Sequence, residues 1–202
     1  YQDKKLIPKK IMVSDENFFD FFPFEILKGA KTNILKEKNS AAISEEQAKL
    51  LFNDQDPIGK SITYGSSNYT VKSVYRVTRP SSIEPNYVFS GVKRDGDENR
   101  WGNFNYGLLI KIKKNVDPAL VLKKMHNVNF VNRTVKDAKE SGQTVEQYVK
   151  ENGEIKIILD QLNTARLHGT KASGSNFPEG MGNLKLLYIM AGLSLLILVL
   201  SL

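Results

Sequence analysis

Apolar positions in this chain change period several times, and each change predicts an element. Lys10 to Val13 is a short apolar stretch that reads as a strand. Ser14 or Asp15 can then cap a short helix carrying Phe18, Phe19, Phe21 and Phe22, which Pro23 ends. Phe24 to Leu27 reads as a second strand, followed by Gly29, and the phenylalanines are expected in a core. Ser40 to Ile43 is another strand. Ser44 opens a helix to about Phe52, with Gln47 completing a capping-box pattern and Ala48, Leu51 and Phe52 forming a buried face. Lys60 to Tyr64 and Tyr69 to Val77 read as paired strands joined through Gly65 to Asn68. In the second of these, Tyr69, Val71, Ser73, Tyr75 and Val77 share one face and Val74 lies on the other. An extended loop from Arg79 to Pro85 precedes a strand near Tyr87 to Ser90.

The second half repeats the strand–helix–strand theme. Tyr106 to Ile112 is strongly strand-like. Asp117-Pro118 is a helix start with an N-cap and a first-turn proline, predicting a helix to about Lys139, broken at Gly142. Thr144 to Lys150 predicts a second short helix, and Ile155 to Leu159 a last strand. A polar, glycine-bearing stretch from Asn163 to Gly182 leads into LKLLYIMAGLSLLILVLSL, Leu184 to Leu202, whose single charge is Lys185. At helical rise this run is about 28 Å long, close to a bilayer's hydrocarbon thickness. It is therefore expected to be a transmembrane helix, with Lys185 and Tyr188 at the membrane interface. The run ends without polar flanking residues and the chain starts at Tyr1, which suggests a fragment of a longer membrane protein.

Composition narrows the chemistry. The chain has 29 Lys+Arg against 22 Asp+Glu, a net charge of +7. The lysines are dispersed, with no basic helix or arginine-rich run, which favours a solvated surface over a nucleic-acid site. Cysteine is absent, which excludes disulfides, thiolate catalysis and zinc–cysteine sites. No cleavable signal peptide opens the chain.

Motifs that would carry catalysis fail on spacing. Gly59-Lys60-Ser61 suggests a phosphate loop, but that motif needs glycine at position 54, which is Asp54, and a helix after it. The segment Asp56, Pro57, Ile58, Gly59, Lys60 reads instead as a structural turn, with Pro57 setting φ and Gly59 allowing a backbone closed to other residues. His126 and His168 lack metal-site neighbours. Ser14, Ser44 and Ser90 lack a nucleophile-elbow context, and Asp95, Asp97 and Glu98 read as a solvated loop. No catalytic, cofactor-binding or metal residue is expected. Trp101, with Phe104 and Tyr106, is the most prominent aromatic cluster; it is either packing between lobes or a contact for a partner.

Taken in order, these segments resemble the extracytoplasmic core domain of MacB-type, FtsX-like ABC transporter permeases. The resemblance rests on Val13 to Phe22 with the following Phe24 to Gly29, on Ala42 to Phe52, and most distinctively on Asp56-Pro57-Ile58-Gly59-Lys60-Ser61-Ile62. It continues through Tyr69 to Tyr75, although Ser73 stands where the family often has glycine, and through Leu108 to Lys113, Asp117-Pro118 and Leu162 to Gly169. It implies an α+β, two-lobed fold. Residues 1–28 and 105–165 would form a porter-like lobe of strand–helix–strand units, and 29–104 an inserted, β-rich Sabre-like lobe. Residues 166–183 would be a juxtamembrane connector and 184–202 the start of a transmembrane helix.

The resemblance also implies a non-catalytic permease domain on the periplasmic side of a bacterial inner membrane. Such a domain would couple ATP hydrolysis by a cytoplasmic ABC ATPase subunit or domain to export or release of a substrate, the process called mechanotransmission. Implied partners are that ATPase, a second permease copy, an envelope adaptor or cargo, and membrane lipid; no cofactor is implied. Two other classes stay open from the residues alone: a ligand-sensing domain of a membrane-anchored receptor, and a tethered envelope hydrolase, for which no catalytic cluster is found.

Overall fold

The alternating segments of the first half assemble as one mixed sheet in a computed structural model that describes residues 10–79, 83–91, 101–102, 107–162 and 182–201. The strands are β1 (Ile11–Ser14), β2 (Glu25–Gly29), β3 (Ser40–Ser44), β4 (Ser61–Tyr64), β5 (Ser67–Arg76) and β6 (Tyr87–Ser90). They run in the order β1-β6-β3-β5-β2, with β4 also paired to β5. β1 is parallel to β6 and β3 is parallel to β5; the β3–β6, β2–β5 and β4–β5 pairs are antiparallel. The long β5 thus serves β4 along its first half and β2 along its second.

One face of the sheet is covered by α2 (Glu45–Phe52). Ala41, Ile43, Leu51, Phe52, Ile62, Tyr69, Val71, Val74 and Phe89 form a continuous buried cluster there. Ser44 caps α2 as expected, its side chain accepting from Gln47 N at 3.3 Å. The Gln47 side chain does not complete the capping box: its Oε1 accepts from the Tyr87 hydroxyl at 2.6 Å. A buried phenol needs an acceptor more than a solvated N-cap amide does.

The other face meets the phenylalanine-rich segment. β1 and β2 lie at opposite ends of the strand order, so the chain between them has to cross the sheet. The short α1 (Phe18–Phe21) lies on that crossing. Phe18 is buried, and Phe19 and Phe24 both pack on Tyr75, with ring centroids 5.4 and 5.5 Å away. The expected cap at Ser14 or Asp15 does not form. Asn17 is the N-cap and makes no side-chain capping bond, and the Asp15 carbonyl accepts from Phe18 N instead. In so short a helix the aromatic contacts, not the cap, hold the turn.

β5 corrects the single-face reading. The register with β3 slips at Lys72, and that with β2 slips at Leu27. The extra residue in each strand inverts the alternation. Tyr69, Val71 and Val74 therefore face α2, whereas Tyr75 faces the phenylalanines.

By its contacts the chain divides into two units, Tyr1–Arg94 and Asp95–Leu202. Residues 11–14 and 25–29 share one sheet with the four strands between 40 and 90. The two termini of the sheet, β1 and β2, find their ladder partners in β6 and β5.

The second unit is helical. Asp117 Oδ1 accepts from Ala119 N at 2.9 Å and starts α3 (Pro118–Asn129). The predicted single helix is interrupted by a π-helical stretch, Phe130–Val135, before α4 (Lys136–Glu140). Gly142, with φ of +68°, ends the run. Thr144 and Gln147 form a reciprocal capping box for α5 (Val145–Asn152). The predicted strands 106–112 and 155–159 are a correction: their described residues form no strand and join no ladder. Alternation sorts side chains to two faces, but a strand also needs a neighbouring edge to pair with, and the described residues offer these segments none.

The C-terminal run forms α6 (Leu184–Leu200), capped by Asn183. It has 17 residues, about 25 Å at helical rise against a hydrocarbon thickness of about 30 Å. Among the described residues no helix is long and apolar enough to cross a membrane. α6 takes up most of the run expected to begin a transmembrane helix, 184–202, and most of the connector, 163–181, lies outside the described residues.

Candidate functional site

The turn Asp56 to Lys60 links the end of α2 to β4, and its shape follows from its residues. Asn53 ends α2 at φ of +53°. Asp56 Oδ1 accepts from Ile58 N at 3.2 Å, an Asx turn that tightens the chain ahead of β4. Pro57 is buried and its carbonyl accepts from Lys60 N at 3.1 Å. Gly59, at φ of +78°, donates to the Val71 carbonyl at 2.9 Å. Val71 N donates back to the Lys60 carbonyl at 2.9 Å, so the turn continues the β4–β5 ladder.

Its side chains point to structural neighbours. Ile58 packs against the main buried cluster. The Lys60 ammonium lies 5.3 Å from the Phe52 ring centroid and donates to Gln55 Oε1, a cation–π placement on the helix rather than a free cation awaiting phosphate. Gly29 is the second half of this joint. Its φ is +84°, and a Cβ there would stand 2.1 Å from the Lys72 carbonyl oxygen and 2.8 Å from Ile58 Cδ1. The glycine that ends β2 and the turn after α2, read separately in the sequence, meet at this point.

A charged cluster not singled out in the sequence lies at the far end of β5. Arg76 donates to Glu45 at 2.8 Å and approaches Glu25 at 3.5 Å, while Lys49 reaches Glu45 at 3.0 Å. Arg76 and then Lys49 hold the Glu45 carboxyl down to about 2, and Glu45 in turn raises the Arg76 guanidinium. The cluster ties α2, β2 and β5 together; its signal in the sequence is only the i,i+4 pair Glu45 and Lys49, since Arg76 and Glu25 are distant in the chain. Burial pushes the Tyr75 phenol up, and its hydroxyl donates to the Pro85 carbonyl. Burial likewise raises Tyr87. Both are structural donors rather than proton carriers.

Of the expected aromatic cluster, Trp101 is described and is 37% exposed, whereas Phe104 and Tyr106 lie outside the described residues. Gly102, beside Trp101, sits close to the Arg133 side chain of the π-helical stretch, its ideal Cβ position 3.9 Å from Arg133 Nε. Arg133 also lies 3.8 Å from Asp137, which accepts from the Tyr148 hydroxyl at 3.3 Å. Lys185 and Tyr188 are both exposed and lie one turn apart at the head of α6. His168 is outside the described residues, and His126 is half-buried on α3. Among the described residues no group of three or more His, Cys, Asp or Glu side chains could hold a metal ion.

A family model for the MacB-like periplasmic core domain matches residues 2–128. The chain belongs to that family. The match takes in the Phe-rich crossing, the turn at Asp56 to Lys60, the whole sheet and all but the last residue of α3. Among solved structures, a domain described as part of a permease protein from Porphyromonas gingivalis matches with 16% identity and a TM-score of 0.51. That alignment covers 66% of this chain and 64% of the other, so the chain spans under two thirds of its length. The likeness is one of fold. The periplasmic region of MacB from Actinobacillus actinomycetemcomitans matches at 15% identity over 62% of this chain and 63% of its own, with a TM-score of 0.38. The extracellular domain of the noncanonic ABC-type transporter YknZ from Gram-positive bacteria matches at 16% identity over 42% of this chain and 46% of its own, with a TM-score of 0.33. No curated protein matches the chain. The α+β architecture with a mixed six-stranded sheet agrees with a MacB periplasmic core.

Proposed function

We propose that this chain is the non-catalytic, force-bearing periplasmic part of an FtsX/MacB-type permease in a bacterial inner membrane. In this reading a cytoplasmic ABC ATPase hydrolyses ATP, and the movement reaches this domain through membrane helices to drive export or release of a substrate. The observation that carries the reading is the family match over residues 2–128. The sheet supports it physically. A β5 strand shared by two partners on one edge and bonded to β3 on the other resists shear, because displacement would break several ladder bonds together. The joint of Gly29, Ile58 and Lys72 locks the turn after α2 to that strand.

The head of α6, with Lys185 and Tyr188, is assigned to the level of the lipid headgroups, where lysine and tyrosine side chains place an apolar body below and a polar tip above. Trp101 is assigned to contact with a second permease copy, an adaptor or cargo. Gentle affinity purification of the full-length protein from membranes tests the reading. A Walker-motif ATPase, co-purified or fused in the same chain, is the expected result. A full-length chain that instead carries a cytoplasmic signalling domain, with no ATPase bound, would replace the permease with a ligand sensor.

A further inference from the structure

We propose that the exposed face of α3 and the π-helical stretch is a docking surface for an anionic lipid bilayer. Leu120, Val128, Val131 and Val135 are 57, 45, 52 and 37% exposed, and their spacing puts them on one side of the helical run. Lys124 falls within that stripe and Lys123 on its flank, both exposed. The charge around the stripe has one sign. From Lys111 to Lys136 the single carboxylate is Asp117, and its Oδ1 accepts from Ala119 N. Arg133 is turned toward Asp137, so the lysines set the potential of the exposed face.

An apolar stripe flanked by lysines suits an anionic interface: shallow side chains enter the acyl boundary while lysine stems lie along it and their ammonium groups meet lipid phosphates. Other occupants fit less well. Two copies of the face would oppose lysine to lysine. Nucleic acid would leave the valines and Leu120 without apolar partners. Within the stripe itself a protein partner would find no tryptophan, tyrosine or arginine, the anchors that dominate protein interfaces. The same chain also carries α6, whose apolar side chains are exposed along its length, so a lipid phase is the surface this chain is equipped to meet. The inference does not depend on coupling to ATP.

The absence of cysteine makes a direct test possible. Val128→Cys, labelled with the polarity-sensitive fluorophore NBD, is followed in the full chain reconstituted into phosphatidylcholine vesicles with or without phosphatidylglycerol. The expected result is a blue shift and stronger emission only with phosphatidylglycerol, reversed by high salt. Lys123→Glu with Lys124→Glu should weaken this docking by roughly fivefold per lysine, following the attraction of single basic residues to anionic membranes. A label at Ser66→Cys, in the β4–β5 turn, should stay unchanged. Equal emission on both vesicle types would overturn the proposal. So would a response to polyglutamate but not to vesicles, which would assign the face to an acidic protein partner.

Discussion

The two units of this chain solve the burial problem differently. In the first, Ala41, Ala42, Ile43, Val71, Tyr75 and Val88 have no exposed surface at all, and both faces of the sheet are covered by elements of the same unit. In the second, α3, α5 and α6 have no buried residue, and among the described residues only Thr134 and Ala138 are buried. A unit that buries its own apolar surface supplies its own stability, at about 25 cal/mol per Å² removed from water. A unit that leaves leucines and valines in solvent keeps that free energy available for a partner surface.

Core truncation breaks this comparison most sharply. Phe89→Ala, at a residue 1% exposed and stacked among Tyr64, Tyr69 and Tyr87, should cost about 3–5 kcal/mol. Val128→Ala on α3 should stay within about 0.5 kcal/mol. Urea denaturation followed by circular dichroism measures both, and similar losses at the two sites would remove the distinction between the units.

Two glycines with similar φ sharpen it further. Gly29 and Gly59 stand at +84° and +78°, but only Gly29 has backbone within reach of an added Cβ. Gly29→Ala should add a clash with the Lys72 carbonyl to a left-handed strain of about 1–3 kcal/mol. Gly59→Ala should show the conformational cost alone, about 1 kcal/mol. Equal melting temperatures for the two variants would contradict the joint described at Ile58.

A smaller effect is expected from Tyr87→Phe, which leaves the buried Gln47 carbonyl without its donor, at about 1–2 kcal/mol. Its readout is the same denaturation curve, and no loss would mean that water replaces the phenol.

The acid response is the mildest. Glu45 is lowered from 4.5 to about 2 by Arg76 and Lys49. A depressed carboxyl stabilises the fold above its unfolded value and loses that contribution as pH falls through its folded value. Stability should therefore decline between about pH 4.5 and about 2, and Glu45→Gln should flatten that part of the profile. An unchanged slope in the variant would show that other carboxylates govern it.

The sequence made the first unit readable where local signals agree. Ser44 with the apolar face of Ala48, Leu51 and Phe52 located α2, and alternation located β3, β4 and β6. The bulges at Lys72 and Leu27 were not readable, because an extra residue is invisible until the neighbouring strand sets the register. Sheet order was equally hidden: nothing in residues 11–29 tells that β1 and β2 take opposite ends. Alternation misled at 106–112 and 155–159, where it describes sorted side chains without supplying a paired edge. At the candidate site, Pro57 and Gly59 revealed a turn, but not that Ile58 meets Gly29 or that Lys60 rests over Phe52. Those contacts join segments far apart in the chain, and so does the Arg76 cluster.

Hydrogen exchange on the full-length protein, with and without ATP, tests the central claim most directly. Amides of β3, β5 and β6 should remain protected and unchanged in both states, while those of 118–152 should change protection when ATP is bound. No change in either unit would contradict transmission of the ATP cycle to this domain, and loss of protection within the sheet itself would contradict its role as the stiff element.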